Sequence, residues 1–167
     1  MVQPTPAVEA PRFRPSSQAD LAQSGERRRI RNNIAVIRLL RLLEDEQRPA
    51  TTEEQQVLAR WSGWGAVPKV FDTRKSDFAA ERAELLELFS PEEYEAAKTN
   101  TLNAHYTDFS LVQGVWEGMR GLGFEGGNVL EPGCGSGNFI GAAPTDTSTP
   151  TRMVGVEVDP TTAAIAR

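Results

Sequence analysis

Three glycines at alternate positions, Gly133, Gly135 and Gly137, form the most chemically suggestive pattern in the sequence. Glycine accepts positive φ and lets a ligand approach the backbone where a Cβ would clash. A strand before such a loop and a helix after it direct unpaired N–H groups at the bound ligand. About twenty residues beyond the loop, at the predicted tip of the next strand, Glu157 can accept hydrogen bonds from two ribose hydroxyls. The pattern therefore predicts a site for an adenosine-like ligand.

The glycine spacing separates two classes of adenosine cofactor. A dinucleotide fingerprint has its third glycine three residues after the second, a place that Asn138 takes here, so the spacing disfavours NAD. The run from Glu131 to Gly137 instead resembles the Glu/Asp-x-Gly-x-Gly-x-Gly pattern of class I S-adenosylmethionine (SAM) methyltransferases. In that family the carboxylate before the loop, here Glu131, helps to position the methionine end of the cofactor. The alternative is a glycine turn that merely joins strand to helix.

A second element, His105-Tyr-Thr-Asp-Phe109, precedes an amphipathic helical pattern ahead of the glycine loop. It resembles the Tyr-Thr-Pro element of amino-group DNA methyltransferases, the adenine-N6 enzymes, in which Tyr and Thr contact the methionine moiety of SAM. The resemblance implies that Tyr106 and Thr107 contact the cofactor, with Asp108 in the place of the usual proline. An ordinary helix N-cap at Thr107 or Asp108 is the alternative interpretation.

Four further segments narrow the resemblance. They are Phe13–Ser17, Gln47–Thr51, Trp61–Pro68 and Thr101–Thr107. Together they resemble the opening of very large methyltransferase-helicase proteins carried by plasmids, phages and conjugative elements. These proteins pair an adenine-type DNA methyltransferase with a DEAD/DEAH helicase of the kind related to strawberry notch and to phage antirestriction proteins. The resemblance extends over nearly the whole chain from Phe13 and implies methyl transfer from SAM to adenine N6 in DNA.

The resemblance also implies a set of cofactor residues and a set of partners. The implied SAM site consists of Tyr106, Thr107, Glu131, Pro132, Gly133, Cys134, Gly135, Gly137, Asn138, Phe139, Glu157 and Asp159. No catalytic residue is assigned, because the Asn/Asp-Pro-Pro-Tyr/Phe tetrapeptide that holds the flipped base in that class does not occur in the 167 residues. Nor does a Gly-Lys-Ser/Thr P-loop. We therefore expect an N-terminal piece, inactive alone, whose partners are DNA and the missing methyltransferase and helicase portions.

The predicted fold class is α/β. Residues 1–24 are rich in proline, serine and glutamine and predict a flexible arm, residues 25–100 predict a helical region, and residues 101–167 predict the start of a Rossmann-like SAM-dependent methyltransferase domain. Capping boxes at Thr51–Glu54 and Ser90–Glu93 mark two helix starts. The two strands of the first βαβ unit should be parallel members of an incomplete sheet, whose unpaired edge favours a homodimer.

The composition of the chain restricts its expected cellular location and the kinds of site that it can contain. Neither a signal peptide nor an apolar run long enough to span a membrane occurs in the sequence, so we expect a cytoplasmic protein. A single cysteine, Cys134, excludes an internal disulfide, and with one histidine the chain has too few soft ligands for zinc, so no metal site is predicted. Cys134 itself is interpreted as a small residue that fills a tight turn.

Two clusters have both a structural and a nucleic-acid interpretation. Six arginines crowd one predicted helix, although the net charge is −5; they are Arg27, Arg28, Arg29, Arg31, Arg38 and Arg41. They could contact phosphates, but a solvated face paired with nearby carboxylates is favoured. The aromatic residues Trp61, Trp64 and Phe71 could stack on bases, but a packed corner is favoured.

Two other functional classes remain as alternatives to a DNA methyltransferase. One is a non-catalytic module that docks onto DNA or onto the helicase, with a purely structural glycine loop. The other is a SAM enzyme that acts on a substrate other than DNA.

Overall fold

A computed structural model describes residues 12–102 and 105–167, and in them a run of helices precedes a small parallel sheet whose two strands are each followed by a short helix. The helices and strands are α1 Glu26–Glu46, α2 Thr52–Leu58, α3 Ala79–Leu88, α4 Pro91–Thr99, α5 Phe109–Gly121, β1 Gly127–Pro132, α6 Asn138–Gly141, β2 Thr151–Val156 and α7 Pro160–Ile165. The protein is thus mixed α/β, as predicted. Among the described residues, no helix combines the length and apolar character needed to cross a bilayer.

Helix α1 is the central element of the helical region. Its apolar residues recur every three or four positions, which places Ile30, Ile34 and Ile37 on one face, and these side chains are at most 2% exposed. The helix ends at Glu46, because the next residue, Gln47, has a left-handed φ of 50° that stops the hydrogen-bond ladder. The buried face packs against α2 and α3. Burial of this stripe, more than helix propensity, is what stabilises α1.

Two capping boxes begin α2 and α4, as predicted. In α2 the Thr51 hydroxyl accepts from the Glu54 N–H at 3.3 Å, and the Glu54 carboxylate accepts from the Thr51 N–H at 2.8 Å. Ser90 and Glu93 make the same reciprocal pair at 3.2 and 2.9 Å. Each box satisfies two backbone donors that would otherwise lack partners at a helix start.

The aromatic corner between α2 and α3 is buried, which confirms the packing interpretation. Trp61 and Trp64 are 2% and 3% exposed, and their rings meet edge to face with centroids 5.6 Å apart. The fully buried Asn33 of α1 holds the corner, since its Nδ2 donates to the Gly63 carbonyl at 2.6 Å and its Oδ1 accepts from the Ser62 N–H at 3.0 Å. Rings buried in this way have no face open for stacking on a base.

The arginine cluster of α1 is mostly ion-paired, which confirms the favoured interpretation. Arg27 and Arg31 lie 3.7 and 3.6 Å from Glu81, Arg38 lies 2.7 Å from Glu84, and Arg41 contacts Glu44 and Glu93. Four of the six guanidinium groups thus neutralise carboxylates of the same fold. Their pairing lowers the positive potential that the cluster could offer to phosphates.

Strands β1 and β2 pair in parallel, with a register that runs from Gly127 opposite Thr151 to Pro132 opposite Val156. One face of this two-stranded sheet carries Val129 and Met153, which pack against Val112 and Trp116 of α5. The opposite face carries Leu130, Val154 and Val156, which are 64%, 59% and 54% exposed. Parallel sheets usually have both faces covered, so this apolar face is unusual.

The second half of the predicted flexible arm packs against the rest of the chain. The Arg14 guanidinium donates to the Ala143 carbonyl, and the Gln18 side chain accepts from the Phe109 N–H at 2.8 Å. Leu21 is 3% exposed. Residues 12–24 thus contact distant parts of the chain, although their composition is typical of disorder. Residues 1–11 of the predicted arm lie outside the described residues.

Candidate cofactor site

The glycine loop, residues 133–137, joins β1 to the single turn of α6 and is tied to the end of β2. The N–H groups of Gly133 and Cys134 both donate to the Val156 carbonyl, at 2.7 and 2.9 Å. The φ angles of Gly133, Gly135 and Gly137 are +84°, +55° and +87°. Each is in the left-handed region that favours glycine, so the backbone conformation of the loop explains why glycine stands at these alternate positions.

Glu157 lies beside this loop, as the sequence predicts. Its Oε2 accepts from the Gly135 N–H at 2.9 Å, and its Oε1 accepts from the Asp159 N–H at 2.8 Å. A carboxylate has about four lone-pair sites, so each oxygen can accept a further hydrogen bond from a hydroxyl group. The side chain is half-buried, which keeps this acceptor pair within reach of a ligand at the loop.

Tyr106 covers Gly135. A Cβ added to Gly135 would lie 2.9 Å from Cε1 of the tyrosine ring, closer than side-chain carbons ordinarily approach. The phenol oxygen lies 3.5 Å from Oγ1 of Thr162, and burial raises the pKa of Tyr106 to about 12. The phenol is therefore neutral at physiological pH and presents an apolar ring to the loop. The sequence predicts that Tyr106 lies near a cofactor, but only the tertiary structure reveals its contact with Gly135.

Glu131, on the covered face of β1, is the one predicted site residue with an unsatisfied buried atom. Its Oε2 is buried and has no hydrogen-bond partner among the described residues. Desolvation raises the pKa of this carboxyl group from 4.5 to about 7. A buried carboxylate oxygen without a donor is costly. The site therefore favours either a proton on Glu131 or a ligand that brings a donor or a positive charge to it.

The raised pKa of Glu131 predicts a pH dependence of stability. The folded carboxyl group holds its proton to a higher pH than the unfolded one, so its contribution is fully present below about pH 4.5 and is lost as the pH rises through about 7. Solvent screening of this half-exposed group reduces the effect to about 1 kcal/mol. Glu131→Gln should remove this loss, which denaturant unfolding between about pH 5 and about pH 8 would measure.

The variant must be compared with the wild type, because two other carboxylates also make the stability of the protein depend on pH. Glu54 and Asp72 have pKa values lowered to about 2, mainly by hydrogen bonds from Arg48 and Arg74 respectively, so their stabilising effect is lost only at lower pH. They act equally in the wild type and in Glu131→Gln. An identical pH slope in the two proteins would contradict the assignment of a raised pKa to Glu131.

Cys134 fills space, as predicted. Its Sγ would lie only 2.6 Å from a Cβ added to Gly155 of β2, so the thiol occupies the volume that this glycine leaves free. Burial is the first cause of a raised thiol pKa, and the nearby Glu131 and Glu157 raise it further. The group is therefore a thiol and not a reactive thiolate.

The remaining predicted site residues are either exposed or take part in the ends of helices and strands and in hydrogen bonds within the fold. Thr107 is exposed, and Asp108, not Thr107, caps α5 by accepting from the Ser110 N–H at 2.9 Å. The Phe139 carbonyl accepts from the Trp116 indole at 3.0 Å, and Asp159 caps α7 by accepting from the Thr162 N–H at 2.8 Å. Pro132 ends β1 and Asn138 begins α6.

The structure thus brings one group of the predicted residues together around the loop, namely Tyr106, Glu131, Cys134, Gly135 and Glu157. Sequence reasoning did not place Thr162 or Trp61 at this site, although they contact Tyr106 and Thr162 respectively; Trp61 was predicted only as part of the aromatic corner. In residues 12–102 and 105–167, no group of three or more His, Cys, Asp or Glu side chains is placed to hold a metal ion.

Comparison with known proteins identifies no relative of this chain. No family model matches it, and no curated protein or solved structure matches it significantly. Its function must therefore be inferred from its own residues and contacts.

Proposed function

We propose that this chain forms the cofactor half of a class I SAM-dependent methyltransferase. One observation carries the proposal: the Glu157 carboxylate lies 2.9 Å from the Gly135 nitrogen, at the carboxyl ends of two parallel strands. Ligands of open α/β sheets bind outside the carboxyl ends of the strands. There a glycine loop lets the ligand approach the backbone closely, and an acidic residue accepts hydrogen bonds from the ribose hydroxyls. The glycine spacing favours SAM over a dinucleotide, since Asn138 takes the place of the third fingerprint glycine.

Each residue around the loop has a matching partner in such a ligand. Glu157 would accept from the ribose hydroxyls, and Gly133, where an added Cβ would have no atom within 4 Å, leaves its part of the loop backbone open to close approach. The unpaired oxygen of Glu131 would accept from the ammonium group of the methionine moiety, which would return the carboxyl group to its ionised form. When bound, SAM supplies a methyl group activated by its sulfonium. The residues of this chain bind and orient it.

The finer assignment, adenine-N6 methylation of DNA, rests on the resemblance of the Tyr106-Thr107 element and of the N-terminal segments. The base-binding tetrapeptide of that class would come from a further part of the protein. The exposed Leu130, Val154 and Val156 support the proposal that additional strands and helices complete a Rossmann-like sheet. Under this proposal the missing methyltransferase and helicase portions, and DNA, are the partners.

Isothermal titration of the chain with SAM, S-adenosylhomocysteine and NAD tests the proposal. We expect binding of SAM and S-adenosylhomocysteine at micromolar affinity, about −8 kcal/mol, and no binding of NAD. Circular dichroism of the same sample reports whether the helices are folded. A folded chain that binds neither SAM nor S-adenosylhomocysteine would overturn the proposal, and binding of NAD alone would assign the loop to a dinucleotide. Binding of DNA without SAM, weakening steeply with salt, would support a docking module instead.

A further inference from the structure

A short series of side-chain contacts connects the helical region to the glycine loop. The Trp61 indole Nε1 donates to Oγ1 of Thr162 at 3.1 Å, and the same oxygen lies 3.5 Å from the Tyr106 hydroxyl. The Tyr106 ring in turn covers Gly135. Trp61 and Thr162 are 2% and 5% exposed, so the contact between them is shielded from water.

We infer that Trp61 and Thr162 are positioning residues of the cofactor site, which hold the Tyr106 ring against Gly135. The role in cofactor binding rests on the proposed function, but the side-chain contacts themselves are present in the chain without any cofactor. An indole nitrogen only donates, whereas a threonine hydroxyl has one proton and two acceptor sites. Trp61 fills one acceptor site of Thr162, which leaves the hydroxyl group one proton and one acceptor site, so either Thr162 or Tyr106 can donate in their contact.

Two members of this series, Trp61 and Thr162, are anchored to the helical region by further contacts. Trp61 belongs to the aromatic corner that Asn33 of α1 holds through the backbone of Ser62 and Gly63. Thr162 lies on α7, whose Ile165 packs into the core of the helical region. Asn100, at the end of the helical region, also donates to Asp159, the cap of α7, at 2.7 Å. The helical region therefore holds Tyr106 in two ways, through α7 and through its own core, against which the Tyr106 ring packs.

Two substitutions of Thr162 separate hydrogen bonding from packing. Thr162→Val keeps the shape and removes the hydroxyl group, whereas Thr162→Ser keeps the hydroxyl group and removes the methyl group. If hydrogen bonding positions Tyr106, Thr162→Val weakens SAM binding about tenfold while Thr162→Ser stays close to the wild type. If Thr162 only packs, Thr162→Ser is the weaker variant. That reversed order, in titrations of two folded proteins, would overturn the inference.

A spectroscopic measurement tests the same contact without any cofactor. The Tyr106 ring current acts on the protons of Gly135, so the Gly135 signal in a proton–nitrogen correlation spectrum reports the position of the ring. We expect this signal to move in Thr162→Val and in Trp61→Phe, and to stay in place in Thr162→Ser. An unmoved Gly135 signal in Thr162→Val would overturn the inference. Failure of the wild type to bind SAM would remove the proposed function, but the Gly135 signal would still decide whether Thr162 positions Tyr106.

Discussion

Gly135→Val is expected to abolish SAM binding while the helical region stays folded. Valine at this position would place its Cβ 2.9 Å from the Tyr106 ring and would require a β-branched residue at a φ of +55°. The new side chain would also displace the Tyr106 ring, which lies over the loop in the proposed site. We expect at least about a hundredfold loss of affinity, equivalent to about 2.7 kcal/mol or more, in isothermal titration.

Gly123→Val is the matched control for this prediction. Gly123 also has a positive φ, +92°, but a Cβ there would have no atom within 4 Å. Both variants therefore carry the backbone cost of a left-handed side chain, about 1–2 kcal/mol of stability, and only one of them obstructs the loop. Thermal unfolding should show destabilisation in both, and only Gly135→Val should lose affinity. Wild-type affinity in Gly135→Val would mean that SAM does not use this loop.

Glu157→Ala is expected to weaken SAM binding by about ten- to a hundredfold, or about 1.5–3 kcal/mol. This is the range for hydrogen bonds from a ligand to a charged group. The same carboxylate also accepts from the N–H groups of Gly135 and Asp159, so the substitution loosens the loop as well. We therefore expect a lower unfolding temperature together with the lower affinity, measured by thermal unfolding and by titration with SAM.

Asp146→Ala controls for the loss of one negative charge. Asp146 is an exposed carboxylate that pairs with Arg120 at 2.7 Å, at the far end of α5 from the glycine loop. An exposed pair of this kind contributes little to stability. Asp146→Ala should therefore keep the affinity for SAM. If Glu157→Ala bound SAM as tightly as Asp146→Ala, Glu157 would no longer belong to the site.

Features that depend on neighbours in the sequence were predictable. The capping boxes at Thr51 and Ser90 need only two residues three positions apart, and both form as expected. The alternate glycines predicted a loop with left-handed backbone, and all three have positive φ. The apolar residues of α1 recur every three or four positions, and this spacing accounts for its buried face. In each case the controlling interaction lies within about one turn of helix or one loop, so the residue types alone specify it.

Composition was a weaker guide in residues 12–24. Proline, serine and glutamine predicted a flexible arm, yet Arg14, Gln18 and Leu21 anchor this segment to the rest of the chain. Average composition does not reveal which few side chains find partners, because those partners are distant in sequence. Ile165 of α7 likewise packs into the core of the helical region, a contact between residues that are far apart in the sequence.

The sequence by itself determined the glycine loop, the acidic residue after β2, the helix starts and the parallel pair of strands. Only the tertiary structure decided that Tyr106 covers Gly135 and that Trp61 reaches Thr162 from 101 residues away. The physical reason is the range of the interactions. Local patterns report hydrogen bonds within a turn, whereas the contacts around the loop arise when separately formed helices pack their buried faces and bring distant polar atoms within hydrogen-bonding distance.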